Sequence, residues 1–185
     1  MMAPSASPCI FETAALGYLA RTEERGPARW FRRYVDLYPV FLAPATVTEQ
    51  MRGYALLAEG AVPERLPAIE AARDSYLERL ASGAAAVVPT GAAEALVAAQ
   101  LAVLMPFPPG GPRRKGFFAE TLQDRLARWR SQISIAASAL AAGMPLVHDS
   151  PGDYAPVTAL VERFPERFPG VARPRFLWVR KLAAA

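Results

Sequence analysis

Four carboxylates stand just after short apolar runs in this chain. Glu12 follows Cys9-Ile10-Phe11, Glu49 lies in the turn after Val40–Leu42, and Asp149 and Asp153 follow Met144–Val147. If the runs are strands of a parallel sheet, all four acids reach its C-terminal edge, where α/β sheets place ligand sites. Gathered carboxylates repel one another, so the cluster is tolerable only around a hard cation or with protons taken up. Mg²⁺ or Mn²⁺ is the natural occupant, and such a metal can activate water for in-line attack on a phosphodiester. Each acid also has a plainer reading. Glu12 complements the dipole of the helix it opens. Thr46-x-x-Glu49 has the form of a capping box, a role that does not prevent Glu49 from facing a site.

Other chemistries find little support. A single histidine, His148, removes multi-histidine metal sites, and it reads as a hydrogen-bonding residue at a strand end rather than a general base. Cys9 is the one cysteine, which excludes an internal disulfide framework and any cysteine-rich zinc site. No Gly-x-Gly-x-x-Gly, P-loop or Gly-x-Ser-x-Gly elbow occurs, which disfavours dinucleotide, nucleoside-triphosphate and α/β-hydrolase chemistry.

The elements that must position these acids alternate. Short strands are expected at 9–11, 40–42, 86–88, 144–147 and 176–179. Helices are expected at 14–20, in two pieces across 21–36 broken by Gly26-Pro27, at 46–59, from Pro63 to about 81, at 92–104, from 118 through 142, and at 156–163. Residues 129–154 are the most informative. Ile133, Ala136, Ala137 and Leu140 form one helical face, Ile135, Ala139 and Ala142 a second, and Gly143 stands at a left-handed cap before a buried strand and an acidic loop. Residues 105–118 carry too much Pro and Gly for regular structure and read as a surface loop with Arg113, Arg114 and Lys115 at its tip. The fold class is α/β, a mostly parallel central sheet covered on both faces, in a single domain over 1–185 with 105–128 as an enlarged loop and helix insertion.

The formal charge of +4 comes almost wholly from arginine, since only Lys115 and Lys181 are lysines. Arginine suits bidentate phosphate contacts, so a nucleic acid is a plausible partner, although a compositional bias explains the same balance. The arginines at 25, 29, 32 and 33 read as a solvated face, with Trp30 and Phe31 as core or dimer contacts. No run is long and apolar enough for a membrane span. The opening MMAPSASPCIF lacks the basic and apolar regions of a signal peptide, so a cytoplasmic location is expected.

These motifs resemble the PIN-domain family, in particular VapC-type toxins of toxin–antitoxin pairs. The family opens with a strand and Asp-Thr-Asn; here the strand is followed by Glu12-Thr13-Ala14. The Thr-x-x-Glu turn with a glycine four residues later reads TVTEQMRGY, with Glu49 and Gly53. The block Asp-x-x-Ile-Ala-Ala-x-Ala-Leu reads QISIAASAL over 132–140, followed by Gly143 and LVH. The final Asp-Phe loop is matched by HDSPGDY, with Asp153-Tyr154 in place. The resemblance, over residues 9 to about 160, implies a three-layer α/β/α PIN-like fold and a Mg²⁺- or Mn²⁺-dependent endoribonuclease. Glu12, Glu49 and Asp153, with Asp149 as a nearby substitute, would hold the metal, while Arg52, Arg113, Arg114 and Arg130 would hold RNA. An antitoxin partner and a homodimer are implied by the resemblance alone. Three positions depart from the family's pattern: Glu12 is one methylene longer than its aspartate and can still ligate a metal from a shifted position, Ala14 stands for its asparagine, and Gln132 stands where an acid is expected, a loss that weakens hard-cation binding. The alternative is therefore a degenerate PIN domain that binds RNA or a protein without cutting.

Overall fold

The computed structural model describes residues 7–18, 26–107, 114–115 and 118–184. Its strands are β1 (Ile10–Phe11), β2 (Val40–Leu42), β3 (Ala85–Val87), β4 (Arg114–Lys115), β5 (Phe118–Ala119), β6 (Leu146–His148) and β7 (Phe176–Trp178). Its helices are α1 (Thr13–Leu16), α2 (Gly26–Val35), α3 (Pro44–Glu59), α4 (Leu66–Ala81), α5 (Ala92–Leu104), α6 (Leu122–Ala142), α7 (Pro151–Arg163) and α8 (Val179–Ala184). Five strands form one sheet in the order β3-β2-β1-β6-β7, every pair parallel. The chain moves outward from β1 in one direction through β2 and β3, and β6 and β7 fill the other side. That reversal makes the C-terminal end of β1 a topological switch point.

Strand periodicity explains the two cores. Ile10 and Leu146 point to one face and join Val97, Leu101, Ile135, Tyr154 and Val157 from α5, α6 and α7. Phe11 and Val147 point to the other and join Trp30, Phe31 and Tyr34 of α2 and Val179 of α8. On that second face the Phe11 ring sits 4.6 Å from Phe31 and 4.9 Å from Tyr34, centroid to centroid. The Tyr34 hydroxyl accepts the Cys9 N–H at 2.6 Å, which fixes the central strand against α2. The arginines read as a solvated face fall on the same helix: Arg29 and Arg33 are exposed and Arg32 is half-buried, while Arg25 lies outside the described residues.

Helix α6 carries the axis of the first core. Residues 135–140 are all buried, and Gly143 ends the helix in the left-handed region at φ 63°. Met144 N–H bonds Ala139 C=O and Gly143 N–H bonds Leu140 C=O, the paired closure that a glycine permits here. The other end is held by a reciprocal cap between Thr121 and Asp124.

Four local expectations are corrected. Helix α3 starts at Pro44 behind Ala43, so Thr46 is within its first turn and caps nothing; its hydroxyl instead donates to the Phe11 carbonyl at 3.3 Å. Helix α7 starts at Pro151, five residues before the expected point, because Pro151 takes the first-turn place assigned to Pro156. The 105–118 stretch, expected to lack regular structure, holds the antiparallel pair β4–β5, with Arg114 opposite Ala119. Val179, expected to close the last strand, opens α8 and is fully buried against α2.

Candidate functional site

The sheet edge collects the acids as the parallel topology requires. The Glu12 N–H donates to Val147 C=O at 3.0 Å, and its side chain crosses to β6, where Oε2 accepts the Asp149 N–H at 3.1 Å. Glu12 is therefore buried between the ends of two neighbouring strands. It occupies the cap position of α1 but makes no side-chain cap, so it faces the cleft rather than its own helix. Glu49 lies one turn beyond Thr46 and accepts the Thr13 hydroxyl at 2.5 Å, which turns it toward β1. Asp153 is buried in the first turn of α7.

The electrostatics identify Glu12 as the strained member. Burial pushes its carboxyl up to about 7, the Asp149 N–H and Ser150 hold it back, and the charges of Asp153 and Glu49 push it further. Tyr154, wholly buried beside this group, is raised well above the ordinary phenol range by burial and by Glu12, Glu49 and Asp153, so it stays protonated. Its hydroxyl and the Gln132 Oε1 are both buried without a hydrogen-bond partner. Orphaned polar atoms are uncommon in a folded interior and ask for an explanation.

Asp149 is in a different state. It accepts Tyr18 Oη at 2.8 Å, Trp178 Nε1 at 3.1 Å, and the Arg180 Nε and Nη2 at 2.8 and 3.0 Å. Burial raises its pKa, but these donors outweigh burial and hold it below the ordinary carboxylate range. Glu120 and Arg128 complete the edge. Arg128 donates Nε and Nη2 to the two Glu120 oxygens at 2.8 and 2.9 Å, and its Nη1 lies 3.4 Å from Asp153 Oδ1.

No protein-family model matches this chain, and no curated protein matches it. A solved structure does. The chain is similar to one in the crystal structure of VapBC2 from Rickettsia felis bound to a DNA fragment from their promoter. The TM-score is 0.51 at 10% identity, covering 92% of this chain and 97% of that one. The fold is therefore the expected PIN-like α/β arrangement of a parallel sheet flanked by helices. No described helix is long and apolar enough to cross a membrane.

The sequence-selected residues separate into groups. Glu12, Glu49 and Asp153 are electrostatically coupled at one edge, while Asp149 faces its own set of donors. Gln132 is buried on α6. Arg52 and Arg130 are exposed, Arg114 is placed by its backbone in β4, and Arg113 lies outside the described residues. His148 is buried at the end of β6 with Nδ1 unpartnered, and burial lowers its pKa to about 4 and keeps it neutral. Glu120, Arg128 and Tyr154 were not singled out for the site. Asp153-Tyr154 as a pair was the one available signal, because adjacent residues in a helix's first turn can both reach the strand ends.

A divalent cation suits this donor set in kind. It would offset the burial and, after it, the Asp153 and Glu49 charges that raise Glu12. In detail the set is loose. Among the described residues no three His, Cys, Asp or Glu side chains stand close enough together to form a ready metal group.

Proposed function

We propose that this chain is a VapC-like ribonuclease of toxin–antitoxin type that cleaves RNA phosphodiesters, with Mg²⁺ or Mn²⁺ held more weakly than a full set of acids would hold it. The carrying observation is the convergence of Glu12, Glu49 and Asp153 at the switch point of a parallel sheet, with Glu12 pushed up to about 7. Glu12, Glu49 and Asp153 would hold the cation, with Asp149 at the rim as a reserve. The bound metal supplies Lewis-acid activation of water and neutralises charge developing at the phosphate.

The remaining roles belong to the chain's own groups. Until a cation is bound, Glu12, raised to about 7 chiefly by burial, can carry a proton near neutral pH. Tyr154 stays protonated and can donate a hydrogen bond, but cannot act as a base. Thr13 orients Glu49 by donating to Oε2. Arg52 and Arg130, both exposed, with Arg113 and Arg114, hold the RNA backbone. An antitoxin partner and a homodimer accompany this reading, and the presence of a VapB chain in the similar structure supports the first.

Arg128 favours the second reading, a PIN-like module that binds RNA or protein without cutting. A guanidinium beside Asp153 already offsets charge that a metal would neutralise. The two separate in one assay, in which purified protein and its Glu49→Gln variant are incubated with structured RNA and Mn²⁺. The nuclease reading expects cleavage by the wild type and a loss of about 100-fold or more in the variant. RNA left intact by both, with salt-sensitive binding retained, leaves the binding module standing.

A further inference from the structure

Glu120 has no assigned role in the cation chemistry just described, and Arg128 enters it only as a charge beside Asp153. Glu120 sits directly before the cap of α6, and its side chain is 3% exposed. It takes Arg128 in a two-pronged grip through Nε and Nη2, leaving Nη1 directed at Asp153. The Arg128 side chain is only 16% exposed, so the guanidinium is held rather than waving in solvent. Its contacts are unequal. The Glu120 oxygens lie at 2.8 and 2.9 Å, whereas Asp153 Oδ1 is at 3.4 Å, beyond the usual range for a strong charge-assisted bond. The grip on Glu120 is the anchor, and Asp153 is the partner that can be given up.

A second observation lies one turn along the same helix. Gln132 is four residues after Arg128, on the same face of α6, and its Oε1 is buried without a donor. The helix thus presents a cation where it reaches Asp153 and, one turn on, a buried neutral oxygen. The guanidinium reduces the negative charge of the edge.

Resting on the metal-dependent reading above, we infer that Arg128, anchored by Glu120, is a positioning residue that competes with a divalent cation for Asp153. Occupation of Asp153 by a metal repels the guanidinium, which keeps its grip on Glu120 and surrenders only the long contact. Removing Arg128 therefore takes away one cation that a metal at Asp153 must displace. Removing Glu120 alone has the opposite effect, because the guanidinium then leans fully on Asp153.

Mn²⁺ binding measured by calorimetry tests this without reference to turnover. The proteins are wild type, Arg128→Met, Glu120→Gln, Arg128→Lys, and the charge-balanced double variant Arg128→Met with Glu120→Gln. The double variant covers the case in which a lone methionine, taking the guanidinium from two buried carboxylates, prevents folding. The expected result is Mn²⁺ bound about tenfold more tightly by Arg128→Met or the double variant, the lower end of what neighbours of a metal site contribute. Glu120→Gln is expected to bind severalfold more weakly than wild type, and Arg128→Lys to stay near wild type because a cation remains. Wild type that binds Mn²⁺ with an affinity unchanged in the double variant overturns the competition and leaves the metal reading intact. No binding by any folded variant overturns both together. Binding by the double variant alone supports the inference in its strongest form, a metal fully excluded by the guanidinium.

Discussion

Glu12 and Asp149 are joined by one hydrogen bond, from the Asp149 N–H to the Glu12 carboxylate, yet their side chains are in opposite states. Asp149 is surrounded by donors from three parts of the chain: Tyr18 just after α1, Trp178 at the end of β7 and Arg180 in α8. Glu12 gains the Asp149 amide and Ser150, while burial and then the charges of Asp153 and Glu49 press on it. The difference shows which part of an acidic sheet edge is scaffold and which is site. A carboxylate with its lone pairs filled joins elements together; one left short of donors is poised to take a proton or a cation.

The largest expected effect comes from relieving Glu12. Its folded pKa, about 7, lies above the ordinary 4.5, so the group costs nothing while protonated and destabilises the fold as pH rises through 7. Ionising it in place costs about 3 kcal/mol. Glu12→Gln is therefore expected to be more stable than wild type by up to that amount at about pH 8 without metal, the gain vanishing near pH 4. Urea midpoints in EDTA at both pH values report it. Taking the difference between the two proteins cancels His148, whose depressed pKa of about 4 costs stability as pH falls below 6.5. Parallel pH profiles for variant and wild type would erase the contrast between the two carboxylates.

Asp149→Asn should move the other way and by less. The folded pKa of Asp149 is held below its ordinary 3.8, so its stabilisation is present above that value and lost as pH falls. The asparagine keeps an acceptor for Tyr18 or Trp178 but loses the charge paired with Arg180, whose side chain is 61% exposed and therefore strongly screened. A loss of about 1–2 kcal/mol at neutral pH, shrinking in acid, is expected from the same urea measurements. An Asp149→Asn variant as stable as wild type would show that the donors around Asp149 contribute no net binding of α1, β7 and α8 to the sheet.

The contrast also marks what the sequence could tell. Val40–Leu42, the α5 span and the Gly143 cap were legible because apolar runs, alanine-rich periodicity and a glycine at a helix end are local signals. The convergence of Glu12, Glu49 and Asp153 followed once the strands were taken as parallel. The donors of Asp149 did not, because they arrive from positions 18, 178 and 180 and require knowing that β7 lies beside β6. Arg128 and Glu120 escaped for a related reason. They are eight residues apart across a helix start, outside any helical spacing rule, and meet because the chain before Thr121 folds back along α6. The true cap was missed in favour of Thr46 because Thr121-x-x-Asp124 carries Asp where the usual pattern has Glu or Gln.

Gln132→Asp is the smallest of these perturbations and the one that tests how the acidic edge is bounded. The present side chain already offers a neutral oxygen, so the substitution adds a charge rather than a new ligand atom. It also shortens the side chain by a methylene and places a carboxylate one turn from Arg128, which can divert part of the guanidinium's attention from Asp153. Both costs temper the gain. Mn²⁺ affinity is expected to rise roughly tenfold or less, about 1 kcal/mol, as read by calorimetry in metal-free buffer. If affinity does not change while the fold is retained, Gln132 lies outside the electrostatic reach of Glu12, Glu49 and Asp153. Its buried, unpartnered oxygen would then belong with the core packing of α6, and the group short of donors would end at Tyr154.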